Sequence, residues 1–158
     1  MGKIYGEIKQ AKRFVRPAQE AAVALLRTAD VLRARIEAAL LPHGISPEQY
    51  NVLRILRGAP DQRLPTLEIA SRMIARSPNI TRLIDKLVRK ELVSRCDHER
   101  DRRIVVVKLT SEGLDFVNAV TATVDDTDAG AFEGLTKVQV ETLIELLDAV
   151  RSGAAPTR

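Results

Sequence analysis

The chain has 158 residues, 45% of them apolar and 29% charged, with a net charge of +4 and one cysteine. This composition excludes a disordered tract and an internal disulfide framework, and no stretch approaches the ~20 continuous apolar residues a membrane span requires. The N-terminal MGKIYGEIKQAKRFVRP is basic but lacks the apolar core of a secretory leader, so the expected location is the cytoplasm, with no membrane partner.

After Pro17, apolar residues recur at Ala18, Ala22, Leu25, Ala29, Leu32, Ile36 and Ala39. Alternating steps of four and three describe a seam on a helix of about two dozen residues, on the order of 36 Å long. Pro42 and Gly44 end it, and a second helix is expected from Pro47, with Ser46 as its N-cap and Tyr50, Val52, Leu53, Ile55 and Leu56 as its apolar face.

Residues 58–63, GAPDQR, read as a loop. Thr66 is expected to cap a short helix over residues 67–74, and a second is expected from Pro78 to about Lys90, with Ser77 as N-cap. Two short helices joined by a few residues make a helix-turn-helix candidate. On the second, Ile80, Leu83, Ile84, Leu87 and Val88 fall on one side and Asn79, Arg82, Asp85, Lys86 and Arg89 on the other. Residues 92–95 and 104–109 read as strands around the charged HERDRR, so a β-hairpin wing follows the helix pair.

Thr110 is the expected N-cap of the next helix, carrying Leu114, Val117, Val120 and Val124 into an Asp-rich region. After Ala129-Gly130, a last helix opens at Leu135-Thr136 with Val140, Leu143, Ile144, Leu147 and Val150 as its stripe. From Thr110 to Val150 the acids Glu112, Asp115, Asp125, Asp126, Asp128, Glu133, Glu141, Glu145 and Asp148 face one base, Lys137, so the remainder of the chain is strongly basic. That asymmetry fits a polyanion partner for one face and another task for the acidic segment.

The expected fold is mainly α with a small β-hairpin wing: a winged helix-turn-helix flanked by N- and C-terminal dimerisation helices. The expected division is an N-terminal arm and helix over 1–41, a winged DNA-binding lobe over 42–109 and C-terminal helices over 110–158. The first and last helices carry stripes that a compact winged helix cannot cover, which points to a homodimer with recognition helices one DNA turn apart, ~34–36 Å, on a palindromic duplex.

The residues expected to meet double-stranded DNA are Ser77, Asn79, Thr81, Arg82, Lys86 and Arg89 on the helix, and Arg100, Asp101, Arg102 and Arg103 at the wing. Lysine and arginine supply affinity through counterion release, while base-edge contacts discriminate sequence. Arg82 suits a guanine contact or a phosphate clamp equally. At the wing the arginines alternate with acids, so the tip is nearly neutral and favours aim over attraction; a carboxylate can hold a guanidinium for insertion into a narrow minor groove. A winged helix used as a protein-interaction module remains the alternative.

Catalysis finds little support. His43 and His98 have no companion set, no glycine-rich phosphate loop is present, and Cys96, Asp97 and His98 alternate faces of a strand rather than converging on a metal. No enzyme, cofactor or metal is expected.

The segments LEIASRM, SPNITRLIDKLVRKELVSR and DHERDRRIVVVKLTSEG together resemble the multiple antibiotic resistance regulator (MarR) family of winged-helix transcription factors, from about residue 18 to 150. The most specific part is Asp101-Arg102-Arg103 followed by a strand and Leu109-Thr110-Ser111-Glu112-Gly113. The resemblance implies a homodimeric repressor or regulator, often released from DNA by a small aromatic or phenolic effector between the dimerisation helices and the DNA-binding lobe. It implies that Arg103 is the minor-groove arginine and Asp101 its orienting carboxylate, with Ser77, Asn79, Thr81 and Arg82 in the N-terminal half of the recognition helix. This chain departs from the family in having Glu91 where glycine is usual, and in lacking the N-terminal cysteine of the family's peroxide sensors, which disfavours thiol sensing at Cys96.

Overall fold

The structure, a computed structural model, describes residues 3–75, 79–97 and 104–153. Seven helices and three strands are described: α1 (Ile4–Glu7), α2 (Pro17–Leu40), α3 (Pro47–Arg57), β1 (Arg63–Pro65), α4 (Thr66–Arg72), α5 (Ile80–Arg89), β2 (Val93–Asp97), β3 (Val105–Leu109), α6 (Ser111–Phe132) and α7 (Lys137–Gly153). No helix is long and apolar enough to cross a membrane among the described residues.

Helix α2 starts at Pro17, whose missing N–H costs nothing in a first turn. It stops one residue before a short 3-10 turn that ends at Gly44, φ 68°, a left-handed position that suits glycine. Ser46 then caps α3, its hydroxyl accepting from the Gln49 N–H at 3.3 Å while the Gln49 side chain accepts from the Ser46 N–H at 3.0 Å. Tyr50, Val52, Leu53 and Leu56 are buried, as the spacing predicts.

The strands form one antiparallel sheet in the order β1-β3-β2. In register, Leu64 faces Val107 on one side of β3, and Arg95 faces Val107 on the other. The β1 edge strand takes Arg63, the last residue of the segment read as a loop, together with Leu64 and Pro65, to which no element was assigned: at three residues it is too short to show alternation, and its proline is tolerated only because it sits on a sheet edge.

Four further expectations need correction. Thr66 does not cap α4; the helix begins at Thr66 itself with no side-chain cap, and the Thr66 hydroxyl donates to the Val105 carbonyl at 3.1 Å, tying α4 to β3. Helix α5 begins at Ile80 rather than Pro78, with Asn79 as the cap; Ser77 and Pro78 lie outside the described residues. The strand bounds shift to residues 93–97 and 105–109, so Cys96 lies within β2 and not just past its end. Helix α6 runs unbroken through the aspartates and Gly130 to Phe132, because one glycine costs only ~1 kcal/mol in a helix of this length.

One core joins these elements. Leu40, Tyr50, Leu53, Ile69, Leu87, Val107, Val117 and Val120 belong to a single buried cluster. Arg57 of α3 reaches across to α6, donating to the hydroxyl of Thr121 at 2.8 Å and to Oδ1 of Asn118 at 3.3 Å.

The α5 end, the wing and α6 meet at one junction. The Leu92 N–H donates to the Leu87 carbonyl at 3.1 Å and the Glu91 N–H to Val88 at 2.9 Å, the paired bonds of a Schellman motif. Glu91 takes the left-handed φ of 60° that the motif demands, so the helix stops as it would with glycine, but with a side chain that pays a steric cost. Thr110 closes the junction, its hydroxyl donating to the Glu91 carbonyl at 2.8 Å and accepting from the Gly113 N–H at 2.9 Å, while its own N–H donates to Leu92 at 3.2 Å. A Cβ on Gly113 would stand 1.9 Å from the Leu92 carbonyl oxygen. Thr110 and Gly113 of the Leu-Thr-x-x-Gly signature are thus the two residues that let α6 start against the end of the α5 turn.

Candidate nucleic-acid interface

Helix α5 owes its orientation to two opposite faces. Ile84 and Leu87 are buried against α3 and the sheet, which turns Asn79, Thr81, Arg82, Lys86 and Arg89 outward to solvent. The Asn79 side chain accepts from the Arg82 N–H at 3.2 Å, so this residue, expected at the DNA, also caps the helix that carries it. Arg82, Lys86 and Arg89 form no ion pair among the described residues. Three exposed cations at i, i+4 and i+7 form a continuous positive stripe along the helix.

The acid on the same helix is differently placed. Asp85 pairs with Arg95 of β2, a contact between the helix and the wing. This pair removes both from the count of groups free to meet a polyanion. Nothing in the sequence pattern joins residues ten apart across a helix end, so only the packing shows it. Thr81, Asp85 and Arg95 line a cleft of about 640 Å³ between α4, α5 and the wing, in which Leu67 and Val105 supply the apolar wall.

Of the expected site residues, the structure brings Asn79, Thr81, Arg82, Lys86 and Arg89 together on one helix. Ser77, Arg100, Asp101, Arg102 and Arg103 lie outside the described residues. The strands that carry the wing are described: Cys96 is half-buried, 3.7 Å from the Val106 carbonyl, and no three His, Cys, Asp or Glu groups are placed to hold a metal ion among the described residues.

A second feature was not legible in the sequence. A cavity of about 440 Å³ lies between α2, α3, α6 and the end of α4, with Leu32, Ile36, Met73 and Val124 as apolar walls and Tyr50, Asn51 and Asp128 as polar ones. At its edge Arg33 pairs with Glu48 at 2.6 Å. Burial would raise the Glu48 carboxyl, but hydrogen bonds from its own backbone and Ser46, together with the Arg33 charge, hold it below its ordinary value. Asp128 is shifted the other way, raised by burial and by the neighbouring Asp125 against the opposing pull of Arg54. Asn51 Oδ1 accepts from the Ile74 N–H at 2.9 Å, joining the cavity wall to the turn that leads towards α5.

With this geometry in place, comparison with known proteins is decisive. Residues 45–105 match the model of the MarR family. The HTH-type transcriptional regulator MhqR of Bacillus subtilis (strain 168) is 30% identical over 112 residues, which span 68% of this chain and 73% of that protein. The chain belongs to the MarR family. Among solved MarR structures, a transcriptional regulator from Streptomyces coelicolor in complex with DNA aligns with a TM-score of 0.81 at 25% identity over 94% of each chain. A mutant MarR from E. coli complexed with operator DNA aligns with a TM-score of 0.78 at 25% identity, covering 88% of this chain and 99% of that one. AbsC of Streptomyces coelicolor, at 21% identity and a TM-score of 0.81, shares the fold.

Proposed function

We propose that this MarR family member is a homodimeric, DNA-binding transcriptional regulator that lays α5 in the major groove of a palindromic operator. The observation that carries the reading is the exposed stripe of Arg82, Lys86 and Arg89, without an ion pair among the described residues, on a helix whose other face is locked into the core. Family membership, and the two similar structures solved with DNA, support it.

In this reading residues 42–109 form the DNA-binding lobe, and residues 1–41 and 110–158 supply the dimerisation helices. Arg82, Lys86 and Arg89 neutralise phosphates or read guanine edges, Ser77, Asn79 and Thr81 meet the duplex near the helix start, and Arg100, Arg102 and Arg103 approach the minor groove with Asp101 orienting Arg103. The chain acts in the cytoplasm and carries out no catalytic step.

The cavity beside α2 and α6 is the proposed effector site, since it borders both the dimerisation helices and the lobe. An aromatic or phenolic molecule fits its apolar walls and scattered polar groups. Differential binding worth ~1–3 kcal/mol between two separations of the recognition helices would release DNA ~5- to 150-fold. The regulator then works as a repressor lifted by its effector.

The test is binding to duplex DNA as a function of salt. Wild-type protein is expected to bind random duplex at low salt, with log affinity falling linearly against log salt. Arg82→Ala should cost ~1–3 kcal/mol and alter base preference if it reads a base, and Arg103→Ala should weaken binding without changing the fold. No measurable affinity at low salt would instead favour a protein-interaction module.

A further inference from the structure

Several helices of this chain settle their charges locally. On α2 Arg27 pairs with Asp30 at 3.4 Å, on α4 Glu68 pairs with Arg72, and on α7 Lys137 pairs with Glu141 at 3.7 Å and Asp148 with Arg151, all three or four residues apart. Helix α5 offers the same choice. Asp85 has Arg82 three residues before it and Arg89 four after, and an acid N-terminal to a base at i, i+4 is the favoured order. Asp85 takes neither. Its carboxylate meets Arg95 of β2, across the helix end.

Both partners stand on fixed backbone. Ile84, next to Asp85, is buried in the core, and Arg95 pairs in register with buried Val107 of the central strand. Side chains on anchored backbone lose less freedom on pairing than side chains on loose segments, so Arg95 competes with the same-helix cations although the pair is half-exposed. Arg82 and Arg89 are left without an ion pair among the described residues.

We propose that Arg95 is a positioning residue for DNA binding: by holding Asp85 against the wing, it keeps Arg89, and Arg82 one turn back, free to meet phosphates. Without Arg95 the Asp85 carboxylate turns to Arg89 and neutralises one cation of the stripe. Arg95 acts through Asp85 and makes no DNA contact of its own. The inference rests on the reading of α5 as the helix laid against DNA, and it adds a residue at the base of the wing on which the charge of that helix depends.

The experiment uses full-length Arg95→Gln, Asp85→Asn and the double variant. Fluorescence anisotropy measures their affinity for a labelled duplex of random sequence over a range of salt, with circular dichroism as the check on folding. Arg95→Gln is expected to bind about 10-fold more weakly, its slope of log affinity against log salt smaller by about 0.9 per subunit, the loss of one phosphate contact. Asp85→Asn is expected to bind within about two-fold of wild type, because in the wild type this charge is already met. The double variant is expected to recover the wild-type affinity and slope, since no acid is left to occupy Arg89. A double variant as weak as Arg95→Gln would overturn the proposal, because Arg95 would then meet phosphate or hold the fold on its own account. An Asp85→Asn protein that gains as much as Arg95→Gln loses would overturn it as well, since a change in net charge alone produces that pattern. Unchanged binding by Arg95→Gln has the same force. Arg82→Ala and Arg89→Ala isolate the reading beneath: if both bind like wild type, α5 is not the helix that meets DNA, and the proposal falls with it.

Discussion

Leu87 of α5 and Ile144 of α7 each belong to an apolar stripe at helical spacing, yet Leu87 is 0% exposed and Ile144 54%. The α5 stripe closes on α3, α4 and β2 within one chain, so its opposite face is free to be basic without loss of stability. The α7 stripe closes on nothing among the described residues. Equal periodicity therefore marks two different situations: a helix held by its apolar side with its polar side open to solvent, and a helix whose apolar side is left open among the described residues.

That contrast can be broken at its firmest point first. Gly113→Ala places a methyl group where the Leu92 carbonyl already stands, so the junction between wing and α6 must open; a loss of about 4 kcal/mol in urea unfolding is expected. Leu87→Ala leaves a cavity under the recognition helix and should cost about 3 kcal/mol by the same measurement. Glu91→Gly works in the opposite direction, relieving a left-handed residue at the Schellman turn, and should stabilise by about 0.5–1 kcal/mol. Ile144→Lys with Leu147→Lys should change the unfolding of the lobe by less than about 0.5 kcal/mol while removing the dependence of the thermal midpoint on protein concentration. If that double substitution destabilised the lobe as Leu87→Ala does, the two stripes would not differ in kind.

Much of this was legible in the residues. The helix over Pro17–Leu40, the Ser46 and Thr110 caps and the β-branched run at 104–107 each carry a local signal strong enough to survive packing. Arg82, Lys86 and Arg89 could be placed on one face because helical spacing alone determines which side of a helix a residue occupies. What escaped notice depends on contacts distant in sequence. Strand β1 is defined by its pairing to β3 and not by its own three residues, and Thr66, a natural cap by type, spends its hydroxyl on Val105 instead. The Asp85–Arg95 pair and the cavity walls exist only once helices cross. Glu91 stands where the family usually has glycine, yet the backbone bonds from Leu92 and Glu91 close the helix end in the same way, outweighing the cost of one glutamate in the left-handed region.

The central claim, that two copies hold their α5 helices at a spacing set by one turn of duplex, is tested most directly by selecting bound sequences from a random pool of double-stranded DNA. A two-fold symmetric consensus with half-site centres about 10 base pairs apart is predicted. A single unpaired half-site, or a pool that shows no enrichment at all, would contradict it.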